Sequence, residues 1–151
     1  MYAALSDVAF QVQLLPNSND RQYQLDPNQG GGMFAFRVDN GERMWQTPPP
    51  GCGSRSPCSP AQSAAVTAIP GAVFSGSLDG HLRAYATDTG RILWDYDTAH
   101  EFTTVNGVAG KGGAIDVGGP IVAGGMLFAA SGSAQRSAMA GNVLIAFGVA
   151  P

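Results

Sequence analysis

The stretch AYATDTGRILWDYDT at residues 84–98 repeats a pattern found upstream in AFRVDNGERMWQTPP at residues 35–49. In each copy an alanine is followed six residues later by a glycine, and a tryptophan follows four residues after that. Matching positions in the two copies lie 49 residues apart, and they are Ala35 and Ala84, Gly41 and Gly90, Trp45 and Trp94. A period of this length is typical of repeat folds whose units stack on one another.

The second copy lies within four short apolar runs separated by turn residues. This pattern predicts an antiparallel four-stranded sheet, with strands at 63–69, 72–77, 81–86 and 91–97. One such sheet cannot bury both faces alone, so about 45 residues with four strands predict a blade of a β-propeller. The tryptophans would then fill the space between blades, the alanines would allow close sheet contact, and the glycines would supply positive φ in turns.

Partial copies of this unit flank it on both sides. We expect strands at 2–6, 32–38 and 42–47 upstream, and at 119–124, 126–131 and 142–147 downstream. The sequence thus predicts an all-β chain of ten strands forming about two and a half four-stranded blades. Blade one (1–47) would lack its first strand, blade two would span 63–97, and blade three (118–148) would lack its fourth. We therefore expect a piece of a larger ring.

In such a meander the connections between strands alternate between the two rims of the propeller, and here they are long on one rim only. Segments 7–30, 48–62, 98–118 and 132–141 meet there, and long loops on a rigid scaffold are where binding residues concentrate. Asp7 and Asp116 lie at strand ends on this rim, where a carboxylate is more typical of a turn than of a catalytic base. His81 is expected in solvent, His100 is a weak candidate for substrate contact, and Asp95 and Asp97 should share a solvent face.

Composition excludes several classes of function. Eight Lys and Arg against eleven Asp and Glu give a net charge of −3, without the basic patch that nucleic acid or an anionic membrane requires. No apolar run approaches the roughly 18 residues of a membrane span, and no secretory signal is recognisable. GKGG at 110–113 lacks the spacing of a nucleotide-binding loop.

Two cysteines, Cys52 and Cys58, lie in the Pro/Gly/Ser-rich segment PPPGCGSRSPCSP. The chain offers too few further ligands for a four-coordinate zinc site. A local disulfide is favoured over two free thiols, and it would indicate an oxidising compartment such as the periplasm or the exterior.

The segment Ala-x-x-x-Asp-Thr-Gly-x-x-x-Trp at 84–94 resembles the tryptophan-docking motif of quinoprotein alcohol dehydrogenases. These are eight-bladed propellers that bind pyrroloquinoline quinone (PQQ). The run from 63 to 148 is similar to the C-terminal end of the polyvinyl-alcohol dehydrogenases of that group. The chain departs from the motif two residues after the alanine, where Ala86 and Arg37 replace the usual aspartate.

The resemblance implies a periplasmic or secreted enzyme that oxidises secondary alcohols and passes electrons through PQQ to cytochrome c. It also implies a calcium ion beside the quinone and an aspartate base, both supplied by blades that precede residue 1 in the family's order. We therefore assign no catalytic or metal-binding residue in this chain, and we expect the chain alone to be inactive.

This chain could supply part of the cofactor rim through the segment 103–113. Thr104 and Asn106 could offer a hydroxyl and an amide to the quinone, Lys111 a positive charge, and Gly113 a backbone N–H. In the alternative interpretation, Asn106-Gly107 forms a simple turn.

Two further hypotheses remain open. A non-enzymatic propeller scaffold that binds protein partners would use the same blade motif, although it is expected to have short loops on both rims. A truncated gene product without a function of its own is the third.

Overall fold

The computed structural model describes residues 1–116, 118–133 and 137–149. In this part of the chain the regular elements are β-strands, so the predicted all-β class is confirmed. The strands are β1 (Tyr2–Leu5), β2 (Phe10–Leu14), β3 (Arg21–Leu25), β4 (Gly32–Phe36), β5 (Arg43–Thr47), β6 (Thr67–Ile69), β7 (Ala72–Gly76), β8 (His81–Ala86), β9 (Ile92–Asp97), β10 (Glu101–Thr103), β11 (Ala109–Lys111), β12 (Ile121–Ala123), β13 (Met126–Ser131) and β14 (Val143–Phe147).

Three antiparallel sheets carry the ten predicted strands. The first sheet has the order β1-β4-β5, the central sheet β6-β7-β8-β9, and the third sheet β12-β13-β14. Several strands are shorter than predicted, above all β6 and β12. The segments 7–30 and 98–118, predicted as long loops, each hold a two-stranded hairpin, β2-β3 and β10-β11 respectively.

The central sheet lies between the other two because both of its faces carry side chains that need burial. Leu82 of β8 packs in an apolar cluster with Leu127 and Ala129 of the third sheet. Tyr85 of β8 packs with Met33 of the first sheet. Successive residues of a strand point to opposite faces, so this one strand contributes to both inter-sheet layers.

Both tryptophans occupy the places that the repeat predicts. Trp45 pairs with Ala35 across β4 and β5, and Trp94 pairs with Ala84 across β8 and β9; a register shift follows the alanine in both pairs. Trp45 packs between the first and central sheets, and Trp94 packs between the central and third sheets. The two indoles therefore fill matching positions in successive layers.

The indole of Trp45 packs against the turn between β8 and β9 of the central sheet. Its Nε1–H donates to the carbonyl oxygen of Thr87 at 3.0 Å, and the hydroxyl of Thr47 donates to the carbonyl of Gly90 at 2.6 Å. Gly90 has φ +71°, and a Cβ at this position would lie 2.5 Å from Cε3 of Trp45. Gly90 thus meets a conformational and a steric requirement at once.

The long connections meet on one rim and share a core of their own. Leu78, in the tight turn between β7 and β8, is fully buried at its centre. Each surrounding residue comes from a different connection, and they are Leu25, Ala61, Ala114 and Ala138. Backbone hydrogen bonds reinforce the packing, from Leu78 N–H to Ala61 O and from Ala114 N–H to Met139 O, both at 2.9 Å. We call this cluster the rim core.

Within the described residues, no helix has the length and apolar character to cross a membrane.

Candidate functional site

The hairpin β10-β11 carries the residues that the sequence associates with a cofactor. Its turn is closed by Thr104, whose hydroxyl hydrogen-bonds to Asn106 Oδ1 at 2.7 Å and to the carbonyl of Val108. The Val108 N–H donates to the same Oδ1 at 3.3 Å, and the Gly107 N–H donates to the Thr104 carbonyl at 3.2 Å. The Thr104 hydroxyl and the Asn106 Oδ1 therefore form hydrogen bonds within the turn, as the alternative interpretation of Asn106-Gly107 as a simple turn expects.

A groove of about 550 Å³ separates this hairpin from the outer side of β14. Thr104 and Asn106 line it on the hairpin side, with Phe102, and residues 143–146 line it on the other side. Lys111 lies in an adjoining groove that shares Phe102 and Asn142 with the first. The fold thus brings Thr104, Asn106 and Lys111 to one region of the rim.

Two groups in this region keep their donor capacity. The Nδ2 amide of Asn106 and the Nζ ammonium of Lys111 make no hydrogen bond or ion pair with any described residue. Lys111 is the single lysine of the chain. Its backbone is fixed by Asn142, whose Oδ1 accepts from the Lys111 N–H at 2.9 Å. The region therefore offers one amide and one ammonium group to a ligand that accepts hydrogen bonds or carries negative charge.

Gly113 lies apart from this groove, in the interior. Its N–H donates to the hydroxyl of Ser131 at 2.8 Å, and its carbonyl accepts from the same hydroxyl at 3.0 Å. A Cβ there would lie 2.4 Å from the carbonyl oxygen of Met139. Gly113 therefore serves close backbone packing, and its N–H is already engaged.

The two cysteines form a disulfide, which closes the loop 52–58. Arg55 extends from this loop to the central sheet, donating to the carbonyl of Asp79 at 2.7 Å and through two nitrogens to the Asp97 carboxylate. Partial burial alone would raise the pKa of Asp97. The hydrogen bonds from Arg55 and the Ala99 N–H, with the charges of Arg55 and His81, outweigh it and hold that pKa below its usual value of 3.8.

A second arginine, Arg83, lies in the interior of the same network. It and Asp79 are each 3% exposed and form an ion pair at 2.7 Å, and Asp95 accepts from Arg83 Nε at 3.0 Å. Burial opposes the charged form of Arg83, but these carboxylates raise its pKa overall. His81, expected in solvent, is partly buried, and its Nδ1 lies 2.6 Å from Asp95. Asp95 and Asp97 share a face of β9 that is partly open to solvent, with side chains 35% and 38% exposed.

Sequence reasoning missed this network because its members are far apart along the chain. Arg55 and Asp97 are separated by 42 residues, and no local pattern connects them. The one indication of this network in the sequence is the alternation of Asp95 and Asp97 on β9, the strand that pairs with the Arg83 strand β8. The network links the disulfide loop to the central sheet, and it lines a separate groove of about 550 Å³ that includes Cys52, Arg55 and His81.

Neither of the other rim aspartates is arranged as an isolated base. Asp7 is exposed and has φ 43°, as is typical of a turn position. Asp116 is nearly buried, and the hydroxyl of Ser63 donates to its carboxylate at 2.6 Å. Across the residues that the structure describes, no group of three or more His, Cys, Asp and Glu side chains could hold a metal ion.

Comparisons with known proteins place these features in context. The PQQ_2 family model, described as outer membrane protein assembly factor BamB, matches residues 40–149. A polyvinylalcohol dehydrogenase of Pseudomonas sp. is 44% identical over 78% of this chain and 20% of its own length. One of Sphingopyxis sp. (strain 113P3) is 38% identical over 99% of this chain and 23% of its own length. The chain thus spans about a fifth of these relatives.

Among solved structures, BamB from Moraxella catarrhalis aligns with a TM-score of 0.49 and 22% identity, over 72% of this chain and 31% of that one.

Proposed function

We propose that this chain, which belongs to the PQQ_2 family, forms one sector of the propeller of a PQQ-dependent dehydrogenase that oxidises secondary alcohols. The observation that carries the proposal is the 38–44% identity to two polyvinylalcohol dehydrogenases, which in one case extends over 99% of the chain. The stacked sheets, in which each tryptophan packs against the next sheet, support it.

In this proposal, the hairpin β10-β11 is the part of the sector that contacts the cofactor. The donor groups described above fit PQQ, whose carboxylates and carbonyls accept hydrogen bonds. Asn106 Nδ2 would donate to the quinone, and Lys111 Nζ would offset its negative charge. Thr104 would hold the turn that presents Asn106. When bound, PQQ supplies the carbonyl that accepts hydride from the alcohol carbon.

The remaining components of the reaction lie outside this chain in our proposal. Calcium needs six to eight oxygen ligands, including carboxylates, and the described residues contain no group of three or more His, Cys, Asp and Glu side chains that could hold a metal ion. The calcium ligands and the aspartate base would come from other blades, and cytochrome c would accept the electrons. A periplasmic or secreted location agrees with the Cys52–Cys58 disulfide, because such bonds persist in oxidising compartments.

Those other blades are the proposed structural partners. In the first and central sheets, β4 and β8 each pair with an outer strand that carries a tryptophan. β14 occupies the same place in the third sheet, pairing Ala146 with Phe128 as Ala84 pairs with Phe74. Within the described residues its other edge is unpaired. We propose that a strand from elsewhere in the ring pairs with it.

A non-enzymatic scaffold is the second candidate function, and the description of the matching family favours it. Such a protein would bind other proteins through its propeller and would not need the donor groups of the β10-β11 hairpin. Quinone binding separates the two proposals.

The test is a titration with PQQ, in the presence of calcium, of the full-length polypeptide, which in our proposal includes the other blades of the ring. Quenching of tryptophan fluorescence measures the binding. We expect saturable binding and quinone-dependent oxidation of secondary alcohols with reduction of cytochrome c. Lys111→Ala should weaken PQQ binding about fivefold to tenfold, as expected for the loss of one charged contact. Arg91→Ala removes one positive charge from an exposed residue on the opposite rim and should leave binding unchanged. Absence of saturable binding in the unmodified protein would favour the scaffold.

A further inference from the structure

The hairpin β2-β3 has two faces of different chemistry. Directly opposed residues share a face in an antiparallel pair. One face combines the pairs Phe10–Leu25, Val12–Tyr23 and Leu14–Arg21, and the other combines Gln11–Gln24 and Gln13–Gln22. The glutamine face suits water. The first face, which we call the apolar strip, needs another explanation.

The apolar strip is attached to the body at one end and exposed at the other. Leu25 is buried in the rim core. Further along the hairpin, Val12, Tyr23 and Leu14 are 54%, 53% and 65% exposed. Scattered apolar side chains on a surface are normal, but a contiguous row on a projecting ribbon is typical of a binding surface. The row from Phe10 to Leu14 is about 14 Å long at 3.4 Å per residue.

Hydrogen-bonding groups stand beside this row. The Tyr23 hydroxyl and the Arg21 guanidinium make no hydrogen bond or ion pair with any described residue. Both lie on β3, directly across from Val12 and Leu14 of the apolar row. The strip therefore offers hydrocarbon contact on one strand and hydrogen-bond partners for hydroxyl groups on the other.

We infer that the apolar strip binds an uncharged hydrocarbon polymer that carries hydroxyl groups along its length. This inference rests on the proposed function, since the relatives act, by their names, on such a polymer. The polymer backbone lies along Phe10, Val12 and Leu14, and its hydroxyls meet Tyr23 and Arg21. The strip holds the polymer on the same rim as the groove beside the β10-β11 hairpin.

Charge favours this occupant over a protein. Residues 8–19 contain no charged side chain, and Arg21 is the one charged group of β2 and β3. Protein interfaces gain much of their specificity and association rate from charge complementarity, to which this surface contributes the single charge of Arg21. An uncharged polymer requires none.

The experiment measures retention of the full-length protein in native gels that contain polyvinyl alcohol, a readout independent of turnover. The double variant Val12→Thr, Leu14→Thr places threonine, which has a high strand propensity, at both positions but removes apolar contact, and we expect about tenfold weaker retention. Gln11→Thr, Gln13→Thr changes the opposite face of the same strand and should migrate as the unmodified protein does. Tyr23→Phe, which removes one hydroxyl, should weaken retention about threefold without affecting folding.

Kinetics then separate this inference from the proposed function. With PQQ bound, Val12→Thr, Leu14→Thr should raise KM for the polymer and leave KM for a short secondary alcohol unchanged. An unmodified protein that is retained by the polymer but oxidises neither alcohol contradicts the proposed function alone. Equal retention of the unmodified protein and the Val12/Leu14 variant overturns the polymer site. A change of oligomeric state in that variant also overturns it, because the strip would then be a protein interface.

Discussion

Each of the two layers between sheets contains a tryptophan at the equivalent position of the repeat, but the surroundings of Trp45 and Trp94 differ. Between the first and central sheets, Trp45 is 9% exposed, donates to Thr87 and lies against Gly90. Between the central and third sheets, Trp94 is partly exposed, and its indole N–H has no partner among the described residues. It contacts Phe147 edge-on at 5.1 Å and borders an apolar groove of about 370 Å³.

This difference shows that the docking motif is completed by the neighbouring unit. The tryptophan, the alanine opposite it and the register shift are present in both copies. The turn 87–90, which covers Trp45, belongs to the next sheet. In a repeat protein such nearest-neighbour contacts provide much of the stability of each unit.

The largest effect is expected from removing the covered tryptophan. Trp45→Ala should lower the free energy of unfolding by about 3–5 kcal/mol, because it leaves a cavity in a packed layer and the Thr87 carbonyl loses its donor. Trp94→Ala should cost roughly 2 kcal/mol, since part of that ring remains in contact with solvent. Urea denaturation measures both. Equal losses would mean that coverage by the turn adds nothing.

The turn glycines test the same contact from the other side. Gly90→Ala places a methyl group 2.5 Å from the Trp45 ring in a residue with φ +71°, and it should cost about 3 kcal/mol. Gly41 has φ +74° but no atom within 4 Å of a Cβ, so Gly41→Ala should cost about 1 kcal/mol from backbone strain alone. Thermal unfolding of both variants gives the difference, and a larger loss at Gly41 would contradict the docking contact.

The Cys52–Cys58 disulfide stabilises the fold outside the two layers. Cys52→Ser, Cys58→Ser should lower the free energy of unfolding by about 2 kcal/mol, because a short closed loop restricts the unfolded chain. The loop also carries Arg55 to the central sheet. Denaturation with and without a reducing agent should give the same loss as the double variant. A variant as stable as the parent would show that the loop is held by its other contacts.

The smallest effect concerns Asp97, which is 38% exposed and therefore screened by solvent. Its pKa is lowered in the folded chain, so it stabilises the fold above the unfolded pKa near 3.8 and loses this effect as the pH falls through the folded value. Asp97→Asn should cost about 1 kcal/mol or less at pH 7, and the difference should shrink below about pH 4. A difference that grows on acidification would reverse the sign of this argument.

Patterns within short segments predicted the sheets well. The ten strands of the three sheets follow from apolar runs and turn residues, and the inter-sheet position of the tryptophans follows from the 49-residue repeat. The hairpin β2-β3 was missed although FQVQL and RQYQL alternate strictly, because the whole of 7–30 was treated as one connection. The three-residue strands β10 and β11 are too short to leave a pattern.

Interactions over long sequence distances could not be predicted in this way. The rim core joins Leu25, Ala61, Leu78, Ala114 and Ala138, none of which has a distinctive neighbourhood in the sequence. The cofactor segment shows the same limit. Its residue types gave candidates, but only the fold shows that the Gly113 N–H is engaged while the Asn106 amide and the Lys111 ammonium retain their donor groups.

The way the β2-β3 hairpin is rooted gives it evolutionary freedom. Leu25 and Val8 pack against the rim core at its base, while the side chains of β2 and most of those of β3 are exposed. Substitutions at the exposed positions of this arm should therefore have little effect on folding stability. The ligand preference of this hairpin can therefore change by substitution while the sheets that carry it stay the same. The hairpin could also be replaced as a unit in an engineered protein.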